Sequence, residues 1–166
     1  PLLATIMPAQ QIAIYSALIY FILYLISSYA ARSSHLFVKI MGGNELKSIY
    51  VIMMISILFF GASALGFALQ MPYVSILFLV LIFNLQNIMR PIMTARYDDL
   101  SKSEEQATIL SIESQANSVG IFLIAPVLGH LADHQNLSAV FLLCAAILGS
   151  YLIYVKMKSI FMHKRG

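Results

Sequence analysis

Apolar residues fall into five stretches along the chain, 12–31, 49–69, 73–93, 107–132 and 137–156, separated by short polar connections. A helix needs about 20 residues to cross the ~30 Å hydrocarbon of a bilayer, and each stretch has that length. The pattern predicts an all-α, polytopic transmembrane helical bundle. Residues 1–11, with two prolines and no charge, read as an outer loop or a truncated span. Residues 157–166 read as a basic cytoplasmic tail, with Phe161 and Met162 among bases that would rest on an anionic inner leaflet.

The fourth stretch departs from the others. Its first half carries Ser111, Glu113, Ser114, Gln115, Asn117 and Ser118. On a helix these groups and Gly120 spread over roughly 220°. The strip Ile109, Ile112, Ala116, Val119 and Leu123 is left to face lipid. Unpaired polar groups in hydrocarbon cost several kcal/mol each, so the rest of this span is expected to face protein or water inside the bundle. The fifth stretch is nearly all apolar and is expected at the periphery.

Composition agrees with a membrane class. The 166 residues are 60% hydrophobic and 10% charged, against about 25% charged in a soluble domain. Mean hydropathy is +0.86. The chain opens on Pro1, not Met, and is read as a fragment; its first apolar stretch lacks the basic leader of a cleavable signal. The single Cys144 excludes an intrachain disulfide.

The ten Lys and Arg fall in three places. Arg32, Lys39 and Lys47 lie between the first two spans, Arg90, Arg96 and Lys102 at or beyond the end of the third, and Lys156, Lys158, Lys164 and Arg165 after the fifth. The alternate connections, 70–72 and 133–136, carry none. By the positive-inside rule these three regions are cytoplasmic, and so is the C-terminus. Because the bases mark span ends and form no patch interleaved with aromatics, no nucleic-acid partner is expected.

Several positions are candidates for chemistry. Ser16, Tyr20, Tyr24 and Ser27 share one face of the first span, where the tyrosines line a cavity or pack in hydrogen bonds. Gly42–Gly43 turns the basic loop 32–48, and Asn44 or Glu45 starts the next helix. Ala62 and Gly66 form a small-residue pair suited to close helix approach. Gln86, Asn87, Arg90 and Thr94 lie within about 100° of arc on the third span, with Asn84 off it. Arg90, before Pro91, and Glu113 occupy similar depths and either pair across the interface or anchor separately in interfacial water. In the loop 95–106, Ser103 caps the next helix and Glu104–Glu105 favour its N-terminal dipole. Neither these acids, nor Asp98–Asp99, nor His130, Asp133 and His134 are read as a metal site. No cofactor is expected.

From Arg90 to Phe141 the sequence resembles the C-terminal half of a major facilitator superfamily transporter. The resemblance is carried by Arg90–Pro91 closing a span, by Gln106-Ala107-Thr108-Ile109-Leu110-Ser111 opening the next, and by Ala125-Pro126-Val127-Leu128-Gly129-His130-Leu131-Ala132-Asp133 ending it. Gln106 stands where the family often has arginine, and the loop 32–48 holds at most a remnant of the family's Gly- and Arg-rich signature. The order of spans is similar to the last five of twelve. The resemblance implies a helical carrier whose two halves rock about a central site, usually coupled to a proton or sodium gradient. It implies Pro126 and Gly129 as structural motif positions, and the missing N-terminal half as partner.

The expectation is therefore a fragment of a secondary active transporter of the bacterial inner (cytoplasmic) membrane, of the efflux type, moving a small solute or drug together with H+ or Na+. Tyr20, Tyr24, Asn84, Asn87 and Asn117 are candidates for the substrate path. Arg90 and Glu113 are candidates for a gate or coupling pair. The rivals are a non-transporting membrane scaffold and an intramembrane enzyme. The latter is disfavoured because both candidate metal histidines lie at the outer edge with no second base buried.

Overall fold

The computed structural model describes residues 9–100, 106–134 and 137–163, and all of its regular structure is helical. In chain order the elements are α1 (Ala9–Arg32), α2 (Ser34–Ile40), α3 (Glu45–Ala68), α4 (Pro72–Leu100), α5 (Gln106–His134) and α6 (Leu137–His163). The long helices have 24 to 29 residues, or roughly 36–44 Å at 1.5 Å per residue. Among the described residues four helices, α3 to α6, are long and apolar enough to cross a membrane. α1 covers the first expected span.

Local signals account for the element ends. The loop 32–48 contains a helix that the pattern did not predict, α2, whose first turn follows Ser33. The Ser33 hydroxyl donates to the Tyr29 carbonyl at 2.9 Å, holding the end of α1 against the start of α2. The expected turn is present: Gly42 and Gly43 have φ of +82° and +75°, values only glycine adopts without strain. Asn44 then caps α3, its side chain accepting from the Lys47 amide at 3.0 Å, with Glu45 in the first turn. At the other end of α3, Gln70 at φ +58° turns the chain directly into α4.

α3 is the centre of the packing. It lies most extensively against α4 and α6; α1 covers another side of α4, and α5 leans on α6 with only a light touch on α4. Its buried positions are mostly small, Ser48, Ser56, Ser63, Ala64 and Gly66, with Ile52 and Met53 the larger ones. In lipid, where apolar surface gains nothing from leaving the solvent, small residues are what let helices approach closely. Ser48 and Ser56 donate to carbonyls four residues back, both at 2.9 Å, so their polarity is satisfied locally and their small size remains. Ser63 and Ser75 instead reach across the hairpin, each hydroxyl donating to the other's carbonyl, at 3.4 and 2.9 Å. Gly66 lies beside them, and a Cβ there would fall 2.5 Å from the Ser75 hydroxyl and 3.2 Å from its amide nitrogen. The Phe67–Phe141 pair, with ring centroids 5.4 Å apart, ties α3 to α6.

Two expectations, on α5 and on the end of α4, are corrected by this arrangement. No residue in the membrane-length window of α5 is buried, so within this chain α5 is the outermost long helix and not an interior one. Both its polar residues and its apolar strip are uncovered, because its neighbours occupy little of its surface. α6 packs on α3 with Phe141 buried, while most of its membrane-length stretch stays uncovered, as expected of a peripheral span. α4 runs past residue 93 to Leu100 with Pro91 inside it, and α6 continues as helix through residues 157–163, beyond its apolar span Leu137–Lys156. Both continuations add polar turns to an apolar helix, and such turns keep their backbone hydrogen bonds beyond the hydrocarbon. Ser103, Glu104, Glu105 and residues 1–8 lie outside the described residues.

Candidate functional site

The polar arc on α4 is built by spacing. Asn87, Arg90 and Thr94 are three and four residues apart and so share one helix face. The Asn87 side-chain amide donates to the Phe83 carbonyl at 2.8 Å, and the Thr94 hydroxyl to the Arg90 carbonyl at 3.1 Å. With these bonds made along their own helix, both side chains lie flat against α4 and leave the arginine as the projecting group.

Two recesses flank this arc. One, of about 500 Å³, lies where Ala31 at the end of α1 meets Asn87, Arg90, Thr94 and Asp98. The other, of about 270 Å³, lies between α4 and α5 and is lined by Arg90, Thr94, Leu110, Glu113, Ser114 and Asn117. Arg90 and Thr94 thus form the partition between the two. Arg90 and Glu113, expected at similar depths and either paired or separately anchored, line the same recess. No ion pair within 4.0 Å joins them. A guanidinium, always charged, and a carboxylate therefore share a polar recess without neutralising each other by contact. The Glu113 carboxylate is also within electrostatic reach of Tyr97.

The remaining candidates fall elsewhere. Asn117 borders both the α4–α5 recess and a shallow groove of about 370 Å³ running along α5 past Gly120. Asn84 lines neither recess flanking Arg90; its amide donates to the Val80 carbonyl at 2.8 Å, while its Oδ1 is buried with no partner. Tyr20 and Tyr24 are 62% and 66% exposed on α1, whereas Ser27, assigned to the same face, is 5% exposed with an unpartnered hydroxyl. The side chain of Ser16 lies outside the described residues. Gly129 has no neighbour within 4 Å of a Cβ placed on it, and α5 continues through Pro126 to His134. Among the described residues no three of His, Cys, Asp and Glu gather as a metal site.

Ala31, Asp98 and Ser114 join the site without having been singled out for it. Ser114 was visible as part of the polar half of α5. Ala31 carries no local signal, since only the packing of α1 on α4 brings it to Arg90; Asp98 continues the arc of Asn87, Arg90 and Thr94 but falls in the stretch 95–106 expected as a loop. Chemically, the recesses offer one fixed positive charge at Arg90, two carboxylates at Asp98 and Glu113, and amide and hydroxyl groups that both donate and accept. Neither recess is lined by His or Cys. Such a set can hold a polar or charged solute and exchange charge partners.

No protein-family model matches the chain, and neither does any curated protein or solved structure.

Proposed function

We propose that this chain is part of a secondary active transporter, one piece of a carrier of the major-facilitator type that works by alternating access. The observation that carries the reading is the α4–α5 recess, where Arg90 and Glu113 face one polar space on two membrane-length helices without an ion pair. Intramembrane ionisable residues are costly and mark solute or ion pathways. Two opposite charges sharing a recess can pair in one state of a cycle and part in another. In this reading Arg90 and Glu113 form the gate or coupling pair, with Asn87 and Asn117 along the solute path and Tyr20, Tyr24 and Asn84 as further path candidates. The uncovered polar half of α5 is the side that meets the N-terminal half of the carrier. The three basic regions set the orientation, with the C-terminus cytoplasmic in a bacterial inner membrane, and a proton or sodium gradient drives a small solute outward.

The test is gradient-driven solute flux by the intact parent protein in reconstituted vesicles, compared with Glu113→Gln. Loss of flux, or a shift in the inward/outward balance, supports the reading. Flux and accessibility unchanged in the variant remove Glu113 from the mechanism, and no gradient-dependent flux of any solute removes the transport reading itself.

A second reading is favoured by one observation, that no residue in the membrane-length window of α5 is buried: a non-transporting scaffold that offers α5 to a membrane partner. Single cysteines at 111–118, in a Cys144→Ser background, separate the two. A water-lined path reacts with a membrane-impermeant thiol reagent in the assembled protein, and a dry scaffold interface does not.

A further inference from the structure

A third recess, of about 170 Å³, lies where the start of α3 and the ends of α4 and α6 come together. Its walls are apolar at Ile49, Met53, Met93 and Val155. Tyr50, Tyr97 and Tyr151, one from each helix, line it together with Arg96. Among the described residues, Arg96 and these tyrosines make no hydrogen bond or ion pair within the protein. Lys47 and Lys156 are exposed and adjoin the lining residues Leu46 and Val155. A cation and three amphipathic rings, none of them hydrogen-bonded internally, therefore surround an apolar slot at the basic end of the helices.

We infer that this recess is an inter-helix site for an anionic phospholipid, with Arg96 taking the phosphate and the apolar wall taking the upper part of one acyl chain. Three features select a lipid over a soluble ligand. At 170 Å³ the recess is smaller than the ~300–1,000 Å³ that encloses a drug-sized molecule, so the occupant must leave most of itself outside. A lipid does so at no cost, because its remaining chain stays in the bilayer. Tyrosine is the residue that sits at headgroup depth, apolar ring inward and hydroxyl toward water. Basic pockets between helices at the cytoplasmic side are the known form of headgroup site. Acids also lie nearby and oppose an anion: Glu113 lines the neighbouring α4–α5 recess, Glu45 precedes Leu46 and Asp98 follows Tyr97; Arg96 is the charged group in the lining itself and sets the sign of the site. The site requires only that the helices span a bilayer and goes beyond the transport reading; its failure would leave that reading intact.

The full chain in nanodiscs of equal parts phosphatidylglycerol and phosphatidylcholine, released into native mass spectrometry, reports which lipid remains bound. Retention should favour phosphatidylglycerol. Arg96→Gln should lower that preference about fivefold, while Arg96→Lys, which keeps the charge, should preserve it. Met53→Trp, filling the slot, should reduce retention of both lipids. Inorganic phosphate at millimolar concentration should displace neither. An unchanged preference in Arg96→Gln overturns the assignment, as does displacement of phosphatidylglycerol by inorganic phosphate, which would make this a soluble-anion site. If Arg96→Gln yields no folded protein, Met53→Trp decides alone: retention equal to the parent's overturns the proposal.

Discussion

α3 and α5 are both long, serine-bearing helices, and the chain uses them in opposite ways. In α3 a third of the membrane-length window is buried (33%), and in α5 none of it is. The polar groups of α3 are serines, small enough to sit in a helix interface and satisfied by a carbonyl on their own helix or on α4. Those of α5 include Glu113, Gln115 and Asn117, which need space and partners that a close interface does not provide. Two helices of similar length therefore divide the work: α3 gathers α4 and α6 around it, and α5 offers polar surface to a recess. Polarity in a membrane helix marks function only when the groups are too large to be hidden in packing.

The comparison can be broken most sharply by chemical access. Cysteine at Ser114 or Ser118 of α5 should be modified almost completely by a water-soluble thiol reagent, and cysteine at Ser56 or Ser63 of α3 not at all, measured by mass shift in the Cys144→Ser background. Equal labelling of the two helices would end the distinction. The next largest effect concerns backbone approach. Gly66→Val places a side chain against the Ser75 hydroxyl and amide and should destabilise the fold by about 1–3 kcal/mol, read as a lower midpoint of thermal unfolding in detergent. Gly129→Val on α5, where the space is open, should shift that midpoint far less. Ser75→Ala removes one hydroxyl from the cross-hairpin pair and should cost about 0.6 kcal/mol, the average for such bonds between membrane helices. Ser118→Ala, which loses only an exposed bond to Ser114 at 2.9 Å, should fall below detection in the same assay.

Reading the candidate site from sequence succeeded where the relation was local and stopped where it was not. Arg90, Asn87 and Thr94 could be placed on one face because helix periodicity alone puts them there. Arg90 and Glu113, which line one recess, lie near the two ends of the connection between their helices, so counting residues already brings them near each other. The Ser63–Ser75 pair could not be seen this way, since its partners are twelve residues apart across a turn whose register depends on Gln70. Nor could the tyrosine recess, whose lining runs from Leu46 to Val155.

The chain alone determined its five long helices, the Gly42–Gly43 turn, the Asn44 cap, the α3–α4 hairpin and the grouping of cations in alternate connections. Each of these depends on the backbone hydrogen bonds and dihedral preferences of neighbouring residues, or on charge near a helix end. Tertiary structure alone decided that α3 is central and α5 outermost, the reverse of what polarity suggested. The reason lies in the solvent: in hydrocarbon an apolar face is equally at ease against lipid or protein, so hydrophobicity carries no instruction about which helix goes inside. Steric fit makes that choice, through Gly66 against Ser75 and Phe67 against Phe141.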